Sequence, residues 1–121
     1  MWNKFHPKPE RASEEMCRFA RQLIDKLKPY IPTELASVWL TVPEEMTRGQ
    51  VKELGIEIRK SYDGEIYVSC CFENRTEHFG GSQAVTHGTK ERVAAWLTDD
   101  NNLEDVAFLL QDLYENTHTW D

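Results

Sequence analysis

The middle of the chain alternates between apolar and polar residues on both sides of a short turn-like segment. The apolar positions are Ile56, Ile58, Ile66, Val68, Cys70 and Phe72. A two-residue turn would place the two apolar sets on opposite faces, whereas a three-residue loop (62–64) pairs Ile58 with Val68 on one face. This loop requires a type I turn followed by a left-handed Gly64 that forms a bulge. Because a slip of one residue would expose the apolar set, we predict this bulged antiparallel hairpin.

A helix is predicted near the N-terminus, where apolar residues recur with a helical spacing. Its buried stripe consists of Met16, Phe19, Ala20, Leu23, Ile24 and Leu27. Ser13 is suited to cap its first turn, and Pro29 is suited to end it. Arg21 and Asp25 are spaced to form an ion pair on its polar side.

Three further segments carry weaker local signals. The stretch from Ser37 to Val42 alternates and predicts a strand, with a short helix as the competing interpretation. Residues 47–50 match a capping box, which predicts a short helix that ends at Gly55. A strand is expected around residues 77–80, while the glycine-containing stretches 80–82 and 86–88 are expected to be loops.

The C-terminal part is predicted to be helical. Thr89 caps a short helix, which the polar residues 99–101 interrupt, and Asn102 caps a longer one. The inward positions of the longer helix are Leu103, Val106, Ala107, Leu110, Leu113 and Tyr114. The order of elements predicts an α+β fold, in which a mainly antiparallel sheet of three to four strands is packed by an N-terminal helix and two C-terminal helices.

The length of 121 residues fits a single α+β domain covering residues 1–121. The sequence leaves open whether residues 1–9 form a flexible arm. It contains no apolar stretch of about 20 residues that could span a membrane, and the N-terminus has no apolar signal region. The adjacent Cys70 and Cys71 point to opposite faces of a strand, which favours reduced thiols and a cytoplasmic location.

The negative charge is concentrated at the C-terminal end. Of the 21 acidic residues, seven lie between Asp99 and Asp121, where Lys and Arg are absent. The first 98 residues carry the remaining 14 acids and all 14 bases, so they balance. An acidic surface repels phosphate, which argues against direct nucleic-acid binding and favours a basic protein partner.

The last helix gives the candidate partner-binding site. Phe108 falls on its outward face and is surrounded by acidic residues three, four and seven positions away. Such an aromatic residue is typical of a binding hot spot for a basic partner, although another segment covering Phe108 explains the pattern equally well. Trp120 either folds back onto the core or belongs to the same site. The candidate residues are Asp99, Asp100, Glu104, Asp105, Phe108, Asp112, Glu115 and Trp120.

Tests for chemistry give no positive result. Cys70, Cys71, His78 and His87 lie close in sequence, but they lack the spacing of zinc ligands. A catalytic pair between Cys71 and a histidine would require the fold to bring them together. Residues 80–82 lack the lysine of a phosphate-binding loop. We therefore predict no metal site, no cofactor, no catalytic residue and no enzymatic activity.

In its proportions the chain resembles the small acidic immunity proteins of bacterial toxin–immunity pairs, which are short, cytosolic and non-catalytic. No motif carries the resemblance, so it assigns no residue. It implies a protein-binding inhibitor of a cognate toxin, basic and nuclease-like, with no membrane association. One alternative is a secretion or assembly chaperone acting as a homodimer, and the choice between monomer and homodimer stays open. A second alternative is a small enzyme using Cys71, His78 or His87.

Overall fold

The computed structural model describes residues 12–43, 51–74 and 80–116, and it contains one four-stranded antiparallel sheet in the order β1-β2-β3-β4. The elements are α1 (Glu14–Leu27), β1 (Ala36–Thr41), β2 (Val51–Lys60), β3 (Ile66–Asn74), β4 (Gly80–Gly88), α2 (Lys90–Thr98) and α3 (Leu103–Asn116). Short 3-10 turns span Lys28–Tyr30 and Asp100–Asn102. The predicted α+β class, with one N-terminal and two C-terminal helices, is confirmed.

One face of the sheet is covered by the helices. The even-numbered positions of β1, β2 and β3 share one buried cluster with the helix stripes. The sheet contributes Val38, Leu54, Ile56, Ile58, Ile66, Val68, Cys70 and Phe72, all at most 4% exposed. Burying a Leu or Ile side chain stabilises the fold by about 1.5–3 kcal/mol, so burial on the helix side of the sheet makes the main apolar contribution to stability. We call the opposite face, which carries the odd-numbered residues of these strands, the outer face.

The predicted hairpin is confirmed in register and in turn geometry. Ile58 pairs with Val68, and Ile56 pairs with Cys70. The Gly64 amide donates to the Ser61 carbonyl at 2.9 Å, and the Ser61 amide donates to the Glu65 carbonyl at 2.8 Å. Gly64 has a φ of 91°, the left-handed conformation that the three-residue loop requires. The turn therefore sets the register that keeps both apolar sets on the helix side.

The first helix also follows its prediction. It begins after Ser13, whose side chain accepts a hydrogen bond from the Met16 amide at 3.1 Å, and the predicted stripe is buried. The ion pair predicted on its polar side is wrong. Arg21 lies 2.9 Å from Asp100 at the start of the C-terminal helical region, while Asp25 pairs with Lys28 at 3.4 Å. Arg21 therefore pairs with a residue that is distant in sequence and not with Asp25 of its own helix.

Two predictions of local structure are wrong. Residues 51–54 belong to β2 and not to a helix ending at Gly55, which lies in the middle of the strand. The glycine-containing stretches 80–82 and 86–88 are parts of β4 and not loops. In both cases pairing with neighbouring strands overrides weak local preferences, because β2 is hydrogen-bonded on both sides and β4 pairs along β3. Residues 47–50, which carry the capping-box pattern, lie outside the described residues.

The two edges of the sheet are protected in different ways. The Val38 carbonyl points towards β2, so the next carbonyl, that of Trp39, points to the free edge of β1. The Lys26 ammonium donates to this carbonyl at 2.9 Å. At the other edge, the pairing of β3 with β4 shifts by one residue between Val68 and Ser69. A lysine at an edge and a bulge both discourage pairing with a further strand.

None of the helices in the described ranges combines the length and the apolar character that crossing a membrane would require.

Candidate binding surfaces

Four of the predicted partner-binding residues form an exposed acidic surface where α2 ends and α3 begins. Asp99, Asp100, Glu104 and Asp105, which we call the acidic surface, are all exposed. The Asp99 side chain accepts a hydrogen bond from the Asn101 amide at 3.0 Å and so caps the 3-10 turn. Glu104 and Asp105 lie in the first turn of α3, where carboxylates interact favourably with the helix dipole. The surface therefore has local structural support.

One basic residue of α1 reaches this surface. Arg21 lies 2.9 Å from Asp100, whose side chain is 77% exposed. An ion pair of this exposure contributes at most about 1 kcal/mol. The pair partly compensates the charge of Asp100 and connects α1 to the acidic surface.

Phe108 and Asp112, further along α3, are half-buried. Phe108 lies outside the apolar core formed by the described residues, as its outward position on the helix predicts. It is not a fully exposed hot spot, however. The side chain of Glu115 and the whole of Trp120 lie outside the described residues, so those two predictions stay untested.

The outer face carries a feature that the sequence analysis did not identify, an indole placed over a glycine. A Cβ atom added to Gly55 would lie 2.6 Å from the Val38 carbonyl oxygen and 2.7 Å from Cδ2 of the Trp39 ring. No side chain fits at this position without displacing the strand or the ring. Trp39 is half-buried and lies outside the helix-side core. It therefore forms an aromatic platform on the outer face.

Carboxylates lie on both sides of this platform. Glu53 and Glu57 stand two residues before and after Gly55 on β2, so they share its face. Glu53 is paired directly with Glu73 of β3, and all three carboxylates are half-buried. Like charges opposite each other on neighbouring strands destabilise a sheet, so the fold tolerates an unfavourable pair here.

The two adjacent cysteines are free thiols on opposite faces, as predicted. Cys70 belongs to the core, and burial raises the pKa of its thiol. On the outer face, burial and then the Glu57 carboxylate raise the pKa of Cys71 to about 11, while Arg59 lowers it. A thiol is nucleophilic only as the thiolate, which is scarce at neutral pH for such a group. The geometry therefore offers no activated nucleophile at Cys71.

His87 is engaged away from Cys71. Its ring stacks on Tyr67 with centroids 5.1 Å apart, and its Nδ1 lies 3.2 Å from a carboxylate oxygen of Glu65. Tyr67 and Cys71 are four residues apart on β3, which places them about 13 Å from each other along the strand. The neighbouring Asp63 carboxylate, followed by desolvation, raises the pKa of Tyr67. The structure thus separates His87 from the cysteine that it was considered to activate.

Metal ligands are likewise not assembled in the parts of the chain that the structure describes. No group of three or more His, Cys, Asp or Glu side chains suited to a metal ion occurs there. His78 lies outside the described residues.

The sequence analysis also missed an exposed apolar group. Tyr30, Leu35 and Tyr62 have relative solvent exposures of 60%, 77% and 105%. Leu35 and Tyr62 lie at the end of the sheet where β1 begins and the hairpin turns, and an ion pair of 3.6 Å between Glu34 and Lys60 joins these segments. Tyr30 ends the 3-10 turn that follows α1. No periodicity marks them, because each stands alone in a turn or a loop.

Comparison of the chain with protein-family models, with curated proteins and with solved structures gave no match in any of the three.

Proposed function

We propose that the protein is a non-catalytic, protein-binding inhibitor of the immunity-protein type, which neutralises a basic, nuclease-like toxin through the acidic surface. The observation that carries this proposal is the exposure of Asp99, Asp100, Glu104 and Asp105 within one short segment. From residue 99 to the C-terminus the sequence contains no Lys or Arg, and the ion pair described for this surface comes from Arg21 of α1 to Asp100.

The physical basis is charge mimicry. A protein that cleaves nucleic acid holds phosphates with basic side chains, and a row of exposed carboxylates can occupy the same positions. Opposite charges also steer two proteins together and raise the association rate constant, an effect that salt screens. The half-buried Phe108 next to these carboxylates adds apolar contact area at the border of the surface.

The state of the two candidate catalytic groups supports a non-catalytic role. Cys71 is protonated at neutral pH because its pKa is about 11, and His87 is engaged with Tyr67 and Glu65. Neither arrangement resembles a nucleophile held beside its base.

The test is capture of a partner from the native host with the tagged protein, followed by assay of that partner's nuclease activity with and without the inhibitor. The diagnostic variant is Glu104→Lys with Asp105→Lys. The matched control is Glu14→Lys with Glu15→Lys, which makes the same charge change at two exposed positions in the first turn of the other 14-residue helix. We expect only the diagnostic variant to fail to capture the partner and to fail to inhibit the partner's nuclease activity. Equal loss in both variants, or in neither, would contradict a role for the acidic surface.

A second candidate, the homodimeric chaperone, is favoured by the exposed Tyr30, Leu35 and Tyr62. Large exposed apolar side chains can contribute to an interaction site, and Leu35 and Tyr62 lie at the same end of the sheet. Sedimentation velocity of the wild type and of a triple variant with Ser at these positions distinguishes the candidates. A dimer that the triple variant abolishes supports the chaperone, and a monomer in both cases supports the inhibitor.

A further inference from the structure

The outer face has an unusual local design, because a glycine in the middle of a central strand makes room for an indole. A side chain at Gly55 would collide with the Val38 carbonyl and with the Trp39 ring, at 2.6 and 2.7 Å. Glycine weakens a strand interior and commonly marks a close approach of another group. Here that group is the Trp39 ring, which is half-buried and stands apart from the core on the other side of the sheet.

The charges around the ring are poorly compensated. Glu53 and Glu73 face each other across β2 and β3, and no residue in the described ranges forms an ion pair or a side-chain hydrogen bond with either carboxylate. Glu57 has Arg59 as its partner, but at 3.4 Å the contact is longer than the roughly 2.7–2.9 Å of a strong charge-assisted hydrogen bond. A cation placed among these groups would relieve the repulsion between Glu53 and Glu73.

The spacing fits a cationic side chain lying on the ring. Glu53 and Glu57 each lie about 7 Å along β2 from Gly55, on either side of the indole. A guanidinium or ammonium group within about 6 Å of an indole centroid is attracted to the ring face. In an extended segment, side chains on one side repeat every two residues, about 7 Å, which equals the spacing along β2 from Gly55 to each of these glutamates.

From this arrangement we propose that the outer face binds a basic polypeptide segment, with one arginine or lysine side chain on the Trp39 indole between Glu57 and the Glu53–Glu73 pair. The site lies on the sheet and is separate from the acidic surface, so it goes beyond the proposed function. A second copy of the chain is disfavoured as the occupant, because two faces carrying the same carboxylates repel each other.

The test is an NMR titration of the full-length, ¹⁵N-labelled protein with the probe acetyl-Gly-Arg-Gly-Arg-Gly-amide. The control probe contains citrulline in place of arginine, which keeps the shape and removes the charge. We expect the arginine probe to shift the Trp39 indole resonance and the backbone amides near Gly55 in a saturable manner. The citrulline probe is expected to bind at least about threefold more weakly, because it lacks the cation.

Variants of the protein test which residues bind the arginine probe. Glu53→Gln combined with Glu57→Gln is expected to weaken binding of the arginine probe about threefold to tenfold. Trp39→Leu is expected to weaken it by a similar factor, with its folding checked from the backbone amide spectrum. Glu104→Gln combined with Asp105→Asn removes the same formal charge from the acidic surface and is expected to leave the affinity at Trp39 unchanged.

The proposal is overturned if Glu53→Gln with Glu57→Gln binds the arginine probe as tightly as the wild type does. Equal affinity for the citrulline probe would overturn it too, as would shifts at residues 99–105 with none at the Trp39 indole. These outcomes are independent of the capture experiment on the acidic surface, because the two tests change different residues and use different ligands. Failure of one proposal is therefore distinguishable from failure of the other.

Discussion

The two faces of the same sheet differ in what specifies them. On the helix side, Leu54 and Ile56 are at most 1% exposed and belong to an apolar core. Between them, Gly55 faces the opposite way and is covered by Trp39. The helix side is specified by burial, which any apolar residue of suitable volume satisfies approximately. The outer face is specified by a single contact, that of Trp39 with Gly55, where only glycine fits beneath the ring. We therefore expect substitutions on the two faces to differ clearly in their effect on stability.

The largest effect is expected on the helix side. Leu54→Ala removes a fully buried side chain and leaves a cavity, which is expected to lower the free energy of unfolding by about 2–5 kcal/mol. Urea denaturation monitored by circular dichroism measures this change. Ser37→Ala, at an exposed outer-face position of β1, is the control and is expected to stay within about 0.5 kcal/mol of the wild type.

A single added methyl group on the outer face is expected to cost nearly as much. Gly55→Ala places a Cβ 2.6 Å from a backbone oxygen, so the strand or the Trp39 ring must move. Overpacking of this kind lowers the free energy of unfolding by about 1–3 kcal/mol. Ser82→Ala, an exposed position in the same cross-strand row, serves as the control in the same denaturation experiment. If Gly55→Ala is as stable as the control, the indole does not lie over this glycine.

The rate at which the Cys71 thiol is alkylated tests its environment on the outer face. Because its pKa is raised from 9.0 to about 11, the thiolate is expected to be about a hundredfold scarcer at pH 8 than for an unperturbed thiol. Labelling of Cys71 by iodoacetamide in a variant that combines Cys17→Ala with Cys70→Ala is expected to be slow at pH 8 and to accelerate about tenfold per pH unit towards pH 11. Mass spectrometry follows the rate. Rapid labelling at pH 8 would instead indicate an activated cysteine and reopen the enzymatic alternative.

The smallest effect concerns the like-charge pair. Glu53→Gln removes the repulsion from Glu73 and is expected to raise the free energy of unfolding by about 0.2–1 kcal/mol at low salt. The gain is expected to shrink in 1 M salt, where charges are screened within about 3 Å. Denaturation at the two salt concentrations measures it. A loss of stability at low salt would mean that Glu53 has a favourable partner, which would argue against a vacant cation site.

Most of the helix side could be predicted from the sequence, because its signals are local. The hairpin register follows from apolar alternation and from Gly64, and α1 follows from a helical stripe with a capping serine. The acidic surface could be predicted as well, since its four carboxylates lie within seven consecutive residues, two in the polar break between the helices and two on the outward face of α3.

The outer face could not be predicted in the same way. Trp39 and Gly55 are 16 residues apart in the sequence, and they meet only through the register of β1 on β2. The same glycine suggested the end of a helix when it was considered locally. Arg21 likewise found its partner, Asp100, at a distance in sequence that no helical spacing rule covers. Contacts that depend on strand order leave no periodic signal in either segment.

The proposed recognition of a basic protein by the acidic surface is tested by the association rate constant with the captured partner, measured as a function of salt. Stopped-flow measurements would compare the wild type with Glu104→Lys plus Asp105→Lys and with the control Glu14→Lys plus Glu15→Lys. We expect the wild type and the control to associate rapidly at low salt and about tenfold or more slowly at high salt, whereas the diagnostic variant is slow throughout. A rate constant that is independent of salt, or one that both double variants lower equally, would rule out recognition by charge through Glu104 and Asp105.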